Sequence, residues 1–290
     1  MATLKEFNVK LARLRSTRKL TKTMKLVSVN KLRRAQEAER RVGTIVERLA
    51  GILGRMGASA VTGEHVLVTP RKKVKTVLLL VITSDRGLCG GFNNNVNKIV
   101  LPWVQEQEAK GRSVVMSFCG KRGYSFFKNR ATVDRNYEDV MQRPDFNHSF
   151  KVGRELQAAF VGHRVDEVYL AYNKSRGTMS QLPTVERIVP MDPAELIHGS
   201  SAESAGGWML EPSTEVLLGA LLPRVVNLKV YSALLSSSAG EHSARMKAME
   251  QATSNADTMI RTITLRRNRA RQAAITTELT EIVAGAEALK

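Results

Sequence analysis

The chain has 290 residues, 43% apolar and only 5% aromatic, with a formal net charge of +18. That length allows one or two domains with a real core, and the charge calls for an acidic partner: nucleic acid, an anionic membrane or an acidic protein surface. Cys89 and Cys119 lack zinc or redox spacing, which predicts free thiols in a reducing compartment; no apolar run is expected to span a membrane, and the N-terminus lacks an apolar signal region.

The charge is uneven. Residues 1–57 carry fifteen Lys and Arg against four acids, whereas residues 210–290 carry ten against eight. Residues 1–57 contain no Pro and read as one helix, which argues against a transit peptide. Leu4, Phe7, Leu11 and Leu14 begin a three-four seam that is predicted to slip near Arg18 and resume at Leu20, Met24 and Val27. Ala38, Val42, Ile45, Leu49, Ile52 and Met56 continue it. Such a helix would be roughly 80 Å long. Gly57, Gly63 and Pro70 mark a linker over 58–73.

Residues 74–207 follow another pattern. Val74–Thr83 holds the unbroken apolar run of a strand covered on both faces, as in a parallel sheet. A Gly-rich turn follows, then a helix near Val96–Val104 that Pro102 is expected to kink or interrupt. Strands are predicted at Ser113–Cys119, from Ala131, at Glu167–Tyr172 and at Leu182–Val189. Helices are predicted at Gly123–Lys128 and Phe150–Phe160, and a loop at Ile197–Gly207. Strand alternating with helix predicts right-handed crossovers and an α/β domain, with the last strand antiparallel to its predecessor.

Residues 208–290 return to helix. Ser213 or Thr214 supplies a cap with Glu215 in the first turn, and Pro223 is expected to divide a short helix ending near Leu221 from a long one. His242, Met246, Met249, Thr253, Ala256, Ile260, Ile263, Arg267 and Ala270 form a seam too modest for a tight zipper. An α/β domain of about 130 residues has a radius of gyration near 14 Å, too small to enclose either helix. The fold class is therefore α/β plus long helices: an antiparallel two-helix coiled-coil shaft from the N- and C-termini, with a central Rossmann-like α/β domain.

Three motifs need a function. Asp85-Arg86-Gly87-Leu88-Cys89-Gly90-Gly91 sits between strand and helix, where phosphate loops occur, yet it lacks a full P-loop or dinucleotide fingerprint. The favoured reading is a tight strand-to-helix packing turn built on Gly87, Gly90 and Gly91. Lys19, Lys22, Lys25, Lys31, Arg33 and Arg34 form either a solvated face or a docking surface. No triad, metal cluster or paired acid–base set is visible, so no catalytic, cofactor or metal residues are assigned.

The whole chain resembles the gamma subunit of the F-type ATP synthase. The resemblance rests on Thr21-Lys22-Thr23-Met24-Lys25-Leu26-Val27 through Gln36, on Ser84-Asp85-Arg86-Gly87-Leu88-Cys89-Gly90-Gly91, and on the run Arg269–Val283. The family usually has a carboxylate where Lys25 stands, and Tyr and Lys where Arg267 and Arg269 stand. The cysteine-bearing insertion of chloroplast relatives is missing, so no thiol switch is expected. The resemblance implies a non-catalytic rotor coupling proton-driven rotation of a membrane ring to ATP synthesis or hydrolysis on partner subunits. It implies contacts with the alpha and beta subunits through Lys19, Lys22, Met24, Lys25, Arg245, Arg271, Gln272, Thr276 and Glu278. Trp208 and Glu211 would lie near the proteolipid ring, with the epsilon subunit a further partner. Neither nucleic acid nor a small-molecule substrate is implied. The place implied is the cytoplasmic face of a bacterial inner membrane, or the matrix side in an organelle. Two other readings compete: a basic coiled-coil nucleic-acid binder, which the absence of interleaved aromatics disfavours, and a nucleotide-dependent α/β enzyme built on the Gly87 turn.

Overall fold

The structure is a computed structural model and describes residues 4–56, 65–176, 180–193, 211 and 213–287. Its elements, in chain order, are α1 (Leu4–Met56), β1 (Thr76–Ile82), α2 (Phe92–Ala109), β2 (Ser113–Cys119), α3 (Lys121–Phe127), β3 (Thr132–Tyr137), α4 (Phe146–Val161), β4 (Glu167–Arg176), β5 (Ser180–Val189) and α5 (Thr214–Glu287). Contacts divide the chain into two units, Met1–Ser28 with Arg245–Lys290, and Val29–Ala244. Both long helices contribute to both units.

In the Val29–Ala244 unit the sheet order is β3-β2-β1-β4-β5. Strands β1 to β4 are parallel, with Leu79 beside both Met116 and Tyr169, and β5 returns antiparallel to β4 as expected. The first strand is thus central, and its sequence requires that place. Leu78, Leu80 and Ile82 face a core shared with α4, the lower part of α5, and Leu53 and Met56 of α1. Val77, Leu79 and Val81 point the other way, into Val96 and Val100 of α2 and Phe118 and Phe127. Alternation across a strand combined with an unbroken apolar run demands cover on both faces. Each such side chain contributes roughly 1.5–3 kcal/mol on burial.

Two helix-breaking expectations are corrected. Pro102 lies inside α2, which runs unbroken. Pro102 and Lys98, whose carbonyl loses its donor, are both exposed, so water can serve that carbonyl. Pro223 likewise lies inside one continuous 74-residue α5 rather than between two helices. The carbonyl that a proline ring crowds belongs to the residue four back, here Gly219, which is exposed with open space around it.

The seam of α1 also differs from expectation. Its buried positions at the N-terminal end are Leu11, Thr21 and Ser28, while Leu20 and Val27 are 61% and 50% exposed. The helix does not slip at Arg18. The period continues, but its inward positions there are polar. In the other unit Ala38, Val42, Val46 and Leu49 pack with Leu228, Tyr231 and Leu235 of α5, whereas Ile45 and Ile52 face out. Ile45 stands beside Val46 and Ile52 beside Leu53, and spacing alone cannot tell apart apolar neighbours one residue apart.

Contrary to the sequence reading, α5 does contain a stretch long and apolar enough, by length and composition, to cross a membrane; 44% of it is buried inside the protein. Leu218, Leu222, Val226, Val230 and Leu234 of α5 belong to the sheet-backing core, which explains the apolarity. The loop predicted at Ile197–Gly207 lies outside the described residues.

Candidate functional site

Three polar contacts between described residues show how the two helices of the Met1–Ser28 and Arg245–Lys290 unit pair. Arg18 Nη1 donates to Asp257 Oδ1 at 3.0 Å, the hydroxyls of Thr21 and Thr253 share a hydrogen bond of 2.7 Å, and Lys25 Nζ donates to Glu250 Oε1 at 2.5 Å. As the α1 number rises, the α5 number falls, so the pair is antiparallel. Met249, Ala256 and Ile263 are buried on the α5 side, and every residue of the predicted seam from Met246 to Ala270 is at least partly covered. The seam is mixed: a hydroxyl pair flanked by two ion pairs sits among Met249, Ala256 and Ile263.

The expected contact residues separate into two groups. Lys19, Lys22, Arg271, Gln272, Thr276 and Glu278 are exposed. Thr276 turns its hydroxyl back onto the carbonyl of Gln272 at 3.0 Å. Met24 and Lys25 are half-buried, and Lys25 is held by Glu250. Arg245 is only 9% exposed and has an interaction within the chain. Glu211 is exposed, and Trp208 lies outside the described residues. The sequence reading missed one further feature. Ile275, Leu279, Ile282 and Val283 are all about half exposed or more. Their spacing of four, three and one places them on one helix face. That spacing is legible in the sequence beyond the seam.

The Gly-rich turn is built from its own side chains. The Ser84 amide donates to Asn93 Oδ1 at 2.9 Å, Ser84 Oγ donates to the Arg86 carbonyl at 2.6 Å, and Asn93 Nδ2 donates to Ser84 Oγ at 2.8 Å. The Lys121 amide donates to Asp85 Oδ1 at 3.0 Å. Gly90 has φ 58°, a left-handed value suited to glycine; Leu88 has φ 62° and remains 64% exposed. Gly120, unmarked by the sequence reading, matters as much. Its φ is 110°, and a Cβ there would lie 2.1 Å from the Thr83 carbonyl oxygen. Only glycine lets the end of β2 approach β1 so closely.

In open α/β sheets ligands bind outside the carboxyl ends of the strands where the order reverses. Here that place is beside β1 and β4, and the chain's own residues occupy it. Asn173 Nδ2 donates to the Phe92 carbonyl at 3.0 Å, Gln181 Nε2 donates to the Gly240 carbonyl at 2.5 Å, and a Cβ on Gly240 would sit 3.3 Å from the Phe92 ring. A nucleotide at this crevice would have to displace α5.

Burial, reinforced by the Asp85 carboxylate, pushes the Cys119 thiol well above its usual range, and both cysteines are free and buried. A cavity of about 550 Å³ beside β4 and β5 is lined by Tyr169, Tyr172, Lys174, Glu186, Arg187 and Lys229, among others. Its charges are engaged: Arg187 pairs with Glu167 at 3.4 Å and Lys174 with Glu186 at 3.5 Å, and Asp192 and Lys229 have interactions within the chain. Burial and then the bond to Glu167 push the Tyr169 phenol up to about 12. Among the described residues no group of three or more His, Cys, Asp or Glu is placed to hold a metal.

An α/β unit whose ligand crevice is filled by its own helix, together with an antiparallel helix pair presenting exposed cations, defines a protein whose outward chemistry is contact with other chains. A family model described as ATP synthase matches residues 3–289. The ATP synthase gamma chain of Geobacter metallireducens is 40% identical over 290 residues, and that of Trichlorobacter lovleyi 38% over 290, each match covering all of both chains. Among solved structures, a chain of the Euglena gracilis mitochondrial ATP synthase, in an assembly of OSCP, F1 and c-ring, superposes with a TM-score of 0.64 at 18% identity, covering 99% of this chain and 94% of that one. The chain belongs to the ATP synthase gamma-chain family.

Proposed function

We propose that this chain is the rotor of the central stalk in a proton-translocating ATP synthase. On this reading the paired helices turn within the alternating alpha and beta subunits, and the α/β unit engages the proteolipid ring and the epsilon subunit at the cytoplasmic face of a bacterial inner membrane. The segments divide their roles as 1–57 and 208–290 for the shaft, 74–207 for the foot and 58–73 for the linker. The chain supplies no reacting group; ATP is made or hydrolysed on its partners. The observation that carries the reading is the full-length match to gamma chains.

The geometry of the helix pair suits such a role. A rotor must hold its own halves together while gripping neighbours reversibly. Exposed polar groups such as Lys19, Lys22, Arg271, Gln272 and Glu278 offer contacts that form and break at modest cost, each hydrogen bond being worth about 0.5–3 kcal/mol when charge assistance is included. Unequal contact with successive catalytic subunits is what shifts each between states.

The test is the double substitution Arg271→Ala with Gln272→Ala in the assembled complex. Both side chains are exposed, so the free subunit should keep its helicity and melting temperature. ATP turnover, ATP-driven proton pumping or both should fall. Wild-type turnover and pumping would remove these residues from the coupling surface, and a collapsed free subunit would assign them to the fold.

A further inference from the structure

Helix α5 is buried continuously from Ala233 to Ser243 within the α/β unit. This stretch is made largely of small residues, Ser236, Ser237, Ser238, Ala239 and Gly240 among them. Apolar burial is non-directional and would let a helix roll about its axis. Hydrogen bonds are directional, and α5 is held by them at two heights. At the lower one, Gln157 Nε2 of α4 donates to Asn227 Oδ1 at 2.7 Å and to the Pro223 carbonyl at 3.1 Å. Gly153 makes room there, since a Cβ on it would fall 2.3 Å from Asn227 Oδ1. At the upper one, the Ser175 amide of β4 donates to Ser236 Oγ at 2.8 Å and Gln181 of β5 donates to the Gly240 carbonyl. Asn173, 1% exposed, holds Phe92, whose ring lies beside Gly240.

The anchors lie thirteen residues apart along α5, or roughly 20 Å. Two directional attachments at separate heights fix both the tilt of a helix and its rotational setting. We propose that they form a torque joint: the polar contacts at Ser236 and Gly240, with those at Pro223 and Asn227, stop α5 from rolling against the sheet when force is applied to the α/β unit. Gln157, Gln181 and Ser236 are positioning residues in this sense, and the proposal rests on the rotor reading. It also accounts for the filled ligand crevice: the place where an α/β sheet would take a small molecule takes the drive helix.

The experiment uses the assembled membrane complex carrying Gln181→Ala with Ser236→Ala, beside wild type and Ser236→Thr, which keeps the hydroxyl. Proton pumping per ATP hydrolysed is measured as the gradient builds, and hydrolysis is measured separately with an uncoupler present. The expected result is hydrolysis within twofold of wild type without load, pumping per ATP reduced at least threefold under load, and wild-type behaviour from Ser236→Thr. A role limited to stability would lower the melting temperature of the free chain without changing this ratio. Should the double variant not assemble, Gln157→Leu removes the lower anchor and is scored by the same ratio. Wild-type pumping per ATP in an assembled variant overturns the joint, as does equal loss of pumping and hydrolysis. A wild-type complex that hydrolyses ATP without pumping protons would instead overturn the rotor reading itself.

Discussion

Strand β1 buries six of its seven residues, whereas α1 between Leu4 and Ser28 has only Leu11, Thr21 and Ser28 fully covered. The α/β unit encloses residues on every side; two helices alone can cover only one stripe of each other. Its partner segment of α5 shows the same economy, burying Arg245, Met249, Ala256 and Ile263. The first unit is held by close-packed apolar mass. The second relies on a thin seam in which the Thr21–Thr253 hydroxyl pair stands where apolar residues would otherwise be, flanked by the exposed Arg18–Asp257 ion pair. Exposed ion pairs of that kind are worth only about 0–1 kcal/mol each, so their main effect is on register. Stability and surface chemistry therefore live in different parts of one chain.

The largest expected effect tests the depth of the α/β core. Phe118 is fully buried between Tyr124 and Phe127. Phe118→Ala should cost about 3–5 kcal/mol through lost transfer energy and a cavity, while Leu265→Ala on the exposed face of α5 should stay within about 0.5 kcal/mol. Denaturant unfolding of the free chain measures both, and a comparable cost at Leu265 would erase the contrast between the units.

A smaller effect concerns a cap in the α/β unit. Asp145 accepts a hydrogen bond from the His148 amide at 2.8 Å at the start of α4. That backbone bond is the main reason its carboxyl titrates below the usual aspartate value of 3.8, with further help from the His148 side chain. Asp145→Ala should cost about 0.5–2 kcal/mol. Because the folded-state pKa is depressed, the advantage is fully present above the unfolded value and disappears as pH falls through the folded one. Wild type and variant should therefore differ by a constant amount at neutral pH and converge in acid. A gap that persisted at low pH would assign the cost to something other than the charged cap.

The smallest effect belongs to the helix pair. Thr21→Val removes one hydroxyl of the pair, while Thr253 keeps its bond to the Met249 carbonyl at 2.7 Å; the cost should be about 0.5–1.5 kcal/mol. Cysteines at Thr21 and Thr253 should crosslink on oxidation, and cysteines at Thr21 and Thr277 should not, being offset by roughly 36 Å along α5. Crosslinking by the second pair alone would contradict the antiparallel register.

Much of this was legible from residue order. The continuous run in β1 required a strand covered twice, the strand–helix alternation required a parallel sheet, and the seam residues of α5 from Met246 to Ala270 all found cover. Periodicity failed where its inward positions were polar. Leu20 and Val27 looked like seam residues because they are apolar, yet the inward positions are Thr21 and Ser28. Pro223 looked like a helix boundary because the penalty of an internal proline was clear, while its relief by exposed Gly219 was not. At the candidate surface, sequence marked Arg245 and Arg271 alike, and folding separated them into a buried arginine and an exposed one.

By itself, the sequence determined the kind and order of the elements, the long helices at both ends and the family, because these depend on local periodicity and on motifs read along the chain. Only the tertiary structure decided which neighbour each face meets. That choice placed Gly240 in the crevice beside β1 and β4, set Gly120 against the Thr83 carbonyl, and turned Lys25 toward Glu250. Those contacts join residues from 37 to 225 positions apart, and their geometry comes from packing, on which local spacing carries no information.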